Sequence, residues 1–191
     1  MNYYDKHADA YVTDTLSVNM AEQYDLFLPH LPKGASILDA GCGSGRDSKA
    51  FLNLGYTVQA FDSSLEMVRV ANQVTGLAVR HLCFQEMDWD QEFDGIWASA
   101  SLLHVRREEL IAVFSLLHRA LKPNGVLYAS FKERRDDFIK GERLFTCFTA
   151  DTFSSFLEKL DLFHIISLSQ SEDLRPDRKG EGWLNIVMRK E

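Results

Sequence analysis

Strand-sized apolar runs alternate with helix-sized segments through most of this 191-residue chain, and that alternation restricts the fold more than any other feature. "SILDA" precedes a helical pattern from Arg46 to Leu54, which Gly55 stops. "YTVQAF" precedes a helix that Ser63-x-x-Glu66 has the form to open as a capping box. Then come "LAVRHLCF", an acidic loop, "FDGIWASA", an amphipathic helix from Glu108 to Leu121, "VLYASF", a polar loop and the helix "ADTFSSFLEKL". Strands separated by helices lie parallel to one another. The closing runs, "FHIISLSQ" and "WLNIVMRK", have no helix between them, so one is expected to run antiparallel. The predicted fold class is α/β: a doubly wound, mostly parallel, seven-stranded Rossmann-like sheet with an antiparallel strand near the C-terminus. Ahead of the sheet, Ala8 to Leu31 reads as one helix, ended by Pro32-Lys33-Gly34.

A chain of this length, 46% hydrophobic, suits one domain with a sizeable core. Its 28 acidic against 21 basic residues, a net charge of −7, disfavour broad binding to nucleic acid or an anionic membrane. Cys42, Cys83 and Cys147 form no CxxC and read as free thiols in a reducing cytoplasm. The mixed, polar N-terminus does not read as a signal peptide, and no apolar run is long enough to cross a bilayer. A cytoplasmic protein is expected. The alternating acids Glu86, Asp88, Asp90, Glu92 and Asp94 read as a solvated loop, and no metal ion is expected.

The loop after the first strand, "ILDAGCGSGRDS", carries Gly41, Gly43 and Gly45. A phosphate-binding P-loop would continue with Lys and a hydroxyl residue, but Arg46-Asp47 follow instead. A dinucleotide fingerprint, GxGxxG, would place its third glycine where Arg46 stands. Asp47 also brings negative charge to the helix N-terminus, where a pyrophosphate would sit.

The wider arrangement is more specific. Asp39-x-Gly-x-Gly-x-Gly leaves one strand and Asp62 ends the next, a pattern that resembles the class I S-adenosylmethionine-dependent methyltransferases. Within that superfamily the chain most resembles small bacterial methyltransferases that include the tellurite-resistance enzymes. The stretches that carry the resemblance are "LDAGCGSGRDS", "FDSSLEM", "FDGIWASASLLHV", "LKPNGVLYASFK" and "RPDRKGEGWLN". It implies S-adenosylmethionine as cofactor, S-adenosylhomocysteine as product, and in-line methyl transfer to a small-molecule acceptor. It also implies roles. Gly41 and Gly43 would let the backbone approach the methionyl part, and Asp39 would hold the loop and reach the ammonium. Asp62 would bind the ribose hydroxyls, Ser63 would lie beside the adenine, and Phe84 and Gln85 would flank the base. Ala98 would offer its carbonyl to the ammonium, and Arg46 would pair with the carboxylate. Plainer explanations exist for three of these: a helix cap for Asp62, core packing for Phe84, a surface charge for Arg46.

On the acceptor side, the resemblance makes residues 1–34 a helical lid packed on a methyltransferase domain of residues 35–191, a single domain overall. Tyr3, Tyr4 and Tyr11 would supply its rings and hydroxyls, with Tyr11 against the sulfonium. His104 is a candidate base or orienting group, or else a structural histidine bonded to a backbone group. Arg143, Arg175 and Arg178 would hold an anionic acceptor, unless salt bridges with Glu172, Asp173 and Asp177 occupy them. Ala98-Ser99-Ala100-Ser101 stands where base-methylating enzymes carry a proline-containing motif, and no long insertion or added domain to grip a macromolecule is expected. Neither nucleic acid nor membrane is an expected partner, and the chain is expected as a monomer or homodimer. Two other classes stay open: a nicotinamide-dependent oxidoreductase, and a non-catalytic S-adenosylmethionine-binding regulatory subunit.

Overall fold

The computed structural model describes residues 3–173, 175, 178 and 180–191. Three short helices come first: α1 (Tyr3–Lys6), α2 (Ala8–Thr15) and α3 (Ala21–Phe27). The doubly wound part follows as β1 (Ser36–Ala40), α4 (Arg46–Asn53), β2 (Thr57–Asp62), α5 (Leu65–Thr75), β3 (Arg80–His81), β4 (Phe93–Ala98), α6 (Leu110–Ala120) and β5 (Leu121–Lys132). A hairpin, β6 (Phe138–Lys140) and β7 (Arg143–Phe145), precedes α7 (Ala150–Leu160), β8 (Phe163–Glu172) and β9 (Gly182–Lys190).

The main sheet has seven strands in the order β3-β2-β1-β4-β5-β9-β8. β3, β2, β1, β4 and β5 run parallel, and β9 is antiparallel to both of its neighbours. The chain winds outward from β1 to β3, then returns to place β4 on the other side of β1. The crevice at the carboxyl ends of β1 and β4 is therefore the switch point where such sheets bind ligands. Strand residues alternate between the two faces. Ile37, Trp97, Tyr128 and Val187 join one core, and Leu38, Ile96, Leu127 and Ile186 join the other. On the first face Trp97 and Tyr128 stack 3.9 Å apart. Phe27 anchors α3 there, because Gly95 has no Cβ: one would lie 2.7 Å from the Phe27 ring.

Four expectations need correction. The single helix from Ala8 to Leu31 is broken between Thr15 and Ala21, where the Asn19 side chain accepts the Ala21 N–H and competes with helical pairing. The cap of α5 is Ser64, not Ser63: its hydroxyl accepts the Met67 N–H at 3.2 Å. "LAVRHLCF" shrinks to a two-residue edge strand, since only Arg80 and His81 pair with β2. The polar loop after β5 holds the β6–β7 hairpin, whose Phe138 and Phe145 rings stack at 4.6 Å.

Candidate functional site

The glycine loop is tied to the end of β2. The amides of Gly41 and Cys42 both donate to the Phe61 carbonyl at 3.0 Å. Asp62 then accepts the Gly43 N–H on one carboxylate oxygen and the Ser64 N–H on the other, each at 2.8 Å. Gly41, Gly43 and Gly45 all have positive φ, a conformation that costs other residues about 1–2 kcal/mol. Each glycine has its own neighbour. A Cβ on Gly41 would lie 2.5 Å from Ser101 Cβ, and one on Gly45 2.9 Å from Thr75 on α5. A Cβ on Gly43 would lie 3.5 Å from the Tyr11 ring.

Two adjoining chambers open over this loop. One, of about 280 Å³, is lined by Asp62, Ser63, Met67, Leu82, Phe84 and Gln85. The other, of about 130 Å³, is lined by residues that include Gln23, Arg46, Lys132, Arg143, Arg175, Arg178 and Trp183. Tyr4, Tyr11, Gly41, Gly43, Ala100 and His104 line both. Phe84 is core and cavity wall at once, packed edge-on to Phe61 at 5.2 Å. Gln85 is exposed and its amide donates to Glu109.

Two of the expected cofactor residues line neither chamber. Asp39 is buried beneath the loop and accepts the Ser48 hydroxyl at 2.5 Å. Burial, reinforced by the nearby Asp47 charge, raises its carboxyl well above the usual range. Ala98 is fully buried at the end of β4, and the next residues, Ser99 and Ala100, are the ones that reach the cavity. Ala100 does so at positive φ, with its N–H on the Ser130 hydroxyl.

Asp47, legible in the sequence only as an acid at the helix N-terminus, is an electrostatic hub of the site. Its carboxylate accepts from Arg46 Nε at 2.7 Å, Tyr24 Oη at 2.6 Å and Trp97 Nε1 at 2.8 Å. Burial works to raise its carboxyl, but the Arg46 charge and these donors outweigh it and hold the group low. Arg46 is thus a partly buried ion-pair member, not a surface charge, with a third bond to the Thr15 carbonyl. Asp62 goes the other way: burial and the Asp5 charge raise it, against the Ser64 and Gly43 amides.

The N-terminal segment spans the mouth at three points. Asp5 accepts the Ser64 hydroxyl at 2.6 Å, Tyr4 meets His104, and Lys6 pairs with Glu142 at 2.8 Å. His104 Nδ1 lies 2.8 Å from the Leu144 carbonyl, which can only accept, so Nδ1 carries the hydrogen. Nε2 is then the bare acceptor, and Tyr4 Oη donates to it at 2.7 Å. Burial lowers His104 to about 4, so the ring is neutral at physiological pH. Burial also raises Tyr4 and Tyr11 above the usual phenol range.

The arginine cluster is less free than its sequence suggests. Arg175 places Nε and Nη2 on Asp173 at 2.8 and 2.6 Å. Lys132, 4% exposed, pairs with Asp173 and Glu181. These two cations and two carboxylates compensate one another, so Arg175 does not bring the uncompensated charge that an anion site needs. Arg178 lines the chamber and its charge helps hold Glu181 low. Arg143 differs: among the described residues no carboxylate pairs with it, and its guanidinium lies 4.1 Å over the Tyr3 ring. Asp177 lies outside the described residues. Among those described, no three His, Cys, Asp or Glu side chains gather as a metal site requires, and no helix is long and apolar enough to cross a membrane.

Residues 37–125 match a family model described as a methyltransferase domain. A malonyl-[acyl-carrier protein] O-methyltransferase of Pseudescherichia vulneris is 30% identical over 65% of this chain and 47% of its own length. A ubiquinone biosynthesis O-methyltransferase of Xanthomonas axonopodis pv. citri is 33% identical over 54% of this chain and 45% of its own. The chain thus spans about half the length of the curated relatives it matches. A solved structure covers more: the 1,6-didemethyltoxoflavin-N1-methyltransferase of Burkholderia thailandensis, with bound 1,6-didemethyltoxoflavin and S-adenosylhomocysteine. It is 26% identical over 98% of this chain and 83% of that one, with a TM-score of 0.78.

Proposed function

We propose that this chain, whose residues 37–125 match a methyltransferase-domain family, is a class I S-adenosylmethionine-dependent methyltransferase that transfers a methyl group from S-adenosylmethionine to a small-molecule acceptor. The observation that carries this reading is the junction of the two chambers at Tyr4, Tyr11 and His104. In-line displacement needs two ligands held on either side of one carbon, and adjoining chambers with a shared wall suit that need.

The residues fit the cofactor's chemistry. The loop offers close backbone approach, and its one cation, Arg46, already sits on Asp47, which suits a zwitterion better than a phosphate. The Asp62 carboxylate, with about four acceptor positions, takes the Gly43 and Ser64 amides and would offer remaining capacity to a ribose hydroxyl. Ser63, Phe84 and Gln85 would enclose the base, and Gly41, Gly43 and Arg46 the methionyl part. When bound, the cofactor supplies a methyl group on a positively charged sulfur. Tyr11 then lies on the wall common to cofactor and acceptor, where its ring would screen the reacting centre from water. His104 is a poor base: protonating a group of pKa about 4 at neutral pH costs about 4 kcal/mol. Its role here is to fix the Tyr4 hydroxyl, so the acceptor nucleophile arrives ionised or sheds its proton to solvent.

Residues 1–34 serve in this reading as the lid of the domain formed by residues 35–191. The solved neighbour that holds 1,6-didemethyltoxoflavin supports a small acceptor. Kinship to the tellurite-resistance type rests on the sequence stretches alone. The buried Asp47 carboxylate at the α4 N-terminus disfavours a nicotinamide dinucleotide there. Calorimetric titration with S-adenosylhomocysteine and with NAD tests the proposal. Heat with the first and none with the second is expected, and the reverse would sink it. Turnover against a metabolite panel then separates an enzyme from a non-catalytic binder.

A further inference from the structure

We infer that the acceptor is a compact polar molecule that brings a hydrogen-bond donor to Gln23 and an acceptor oxygen or nitrogen, neutral or anionic, to Arg143. This rests on the methyl-transfer reading and adds the recognition chemistry of its second chamber. Among the described residues, two buried side-chain polar atoms have no hydrogen-bond partner: Gln23 Oε1 and Arg143 Nε. Both residues line the same chamber. Native interiors seldom leave such atoms unpaired, because each one costs its lost solvation. One is an acceptor and the other a donor, so together they describe the complementary halves of a ligand.

Neither group can easily turn away to water. Gln23 is 4% exposed, on a helix pinned by Phe27 against Gly95 and by the Tyr24–Asp47 hydrogen bond. Arg143 is flanked by the Tyr3 and Phe145 rings. Several other polar groups of the chamber are already paired. Tyr128 donates to Asn185, Asn185 donates to Ser171, and Lys132 and Arg175 rest on Asp173. Selectivity therefore falls to the unsatisfied pair rather than to the compensated charges. A fully deprotonated oxyanion would meet Arg143 and oppose Gln23 Oε1, and an alkyl thiol would meet neither well. A hydroxylated or N–H-bearing heterocycle, or an enolic acid, meets both.

The test uses the full chain saturated with S-adenosylhomocysteine and a fragment library of matched pairs, read by ligand-observed NMR. Each hydroxy- or N–H-heterocycle stands beside its O- or N-methylated counterpart, and donor-free aromatic carboxylates form a third group. Unmethylated members should bind about tenfold tighter than their methylated partners, the ratio expected when one hydrogen bond to a buried group is lost. Gln23→Leu should erase that ratio, and Arg143→Met should weaken both members of a pair. If Gln23→Leu does not fold, the ratio measured on the natural chain decides. Equal binding within pairs, preference for the donor-free carboxylates, or no binder tighter than about 5 mM overturns the inference. S-adenosylhomocysteine binding by the natural chain keeps the two failures apart: without it the methyltransferase reading falls, and with it only the acceptor chemistry does.

Discussion

Tyr4 Oη lies 2.7 Å from Nε2 of His104, a hydrogen bond that closes the N-terminal segment over the switch point from 100 residues away. The Leu144 carbonyl fixes the tautomer that makes this bond possible. Tyr4→Phe should leave a buried lone pair unmet and loosen the segment. Acceptor turnover should fall while S-adenosylhomocysteine affinity changes less. Steady-state kinetics beside calorimetry would check this, and unchanged turnover would remove the bond from the mechanism.

His104 also sets a pH dependence. Its pKa falls from an ordinary 6.5 to about 4 in the folded chain, chiefly through burial. Between those values the unfolded chain binds a proton that the folded chain does not, so stability is lost as pH drops through that window. The loss amounts to about 3 kcal/mol at most. The raised carboxyls of Asp39 and Asp62 act with the opposite sign. The His104 contribution therefore has to be read as a difference. Urea unfolding of the natural chain and of His104→Asn at pH 7 and pH 4.5 should show the smaller acid loss in the variant.

Asp62→Ala should weaken S-adenosylhomocysteine binding by at least about 1–3 kcal/mol, as expected when charge-assisted hydrogen bonds are removed. The same change frees the Gly43 and Ser64 amides, so some loop stability goes with it. Calorimetry that finds unchanged affinity would take Asp62 out of the site.

Gly41 and Gly76 have nearly the same φ, +77° and +76°, but only Gly41 faces a crowded neighbour. Gly76→Ala should cost about 1 kcal/mol through backbone strain alone. Gly41→Ala should cost more, because its Cβ would meet Ser101 Cβ at 2.5 Å. Chemical denaturation compares the two, and Gly41→Ala with Ser101→Gly should recover part of the loss.

Removing the Asp47 carboxylate should be among the most destabilising single changes. Asp47→Ala strands Arg46 and leaves the Tyr24 hydroxyl and the Trp97 indole N–H without their acceptor. Breaking a buried pair in this way costs about 3–5 kcal/mol. Denaturation midpoints with unchanged m-values would show it, and a loss below about 1 kcal/mol would contradict the hub.

Local chemistry made the framework legible before any coordinates. The alternation of runs gave the parallel winding, the missing helix before "WLNIVMRK" gave the antiparallel strand, and the glycines with Asp62 marked the switch point. Such features depend on residues near one another in the chain, where side-chain period and backbone preference act directly. What the tertiary structure decided was partnership. Asp47 reads locally as a helix-start acid, yet its partners are Tyr24 and Trp97. The sequence offered the arginines either an anion site or salt bridges with nearby acids, and the structure divides them: Arg175 sits on Asp173 while Arg143 stands over Tyr3. Net charge and spacing cannot tell a paired cation from an unpaired one. Pairing depends on which distant segments the packed sheet brings within about 3 Å, and on the burial that makes each such contact strong.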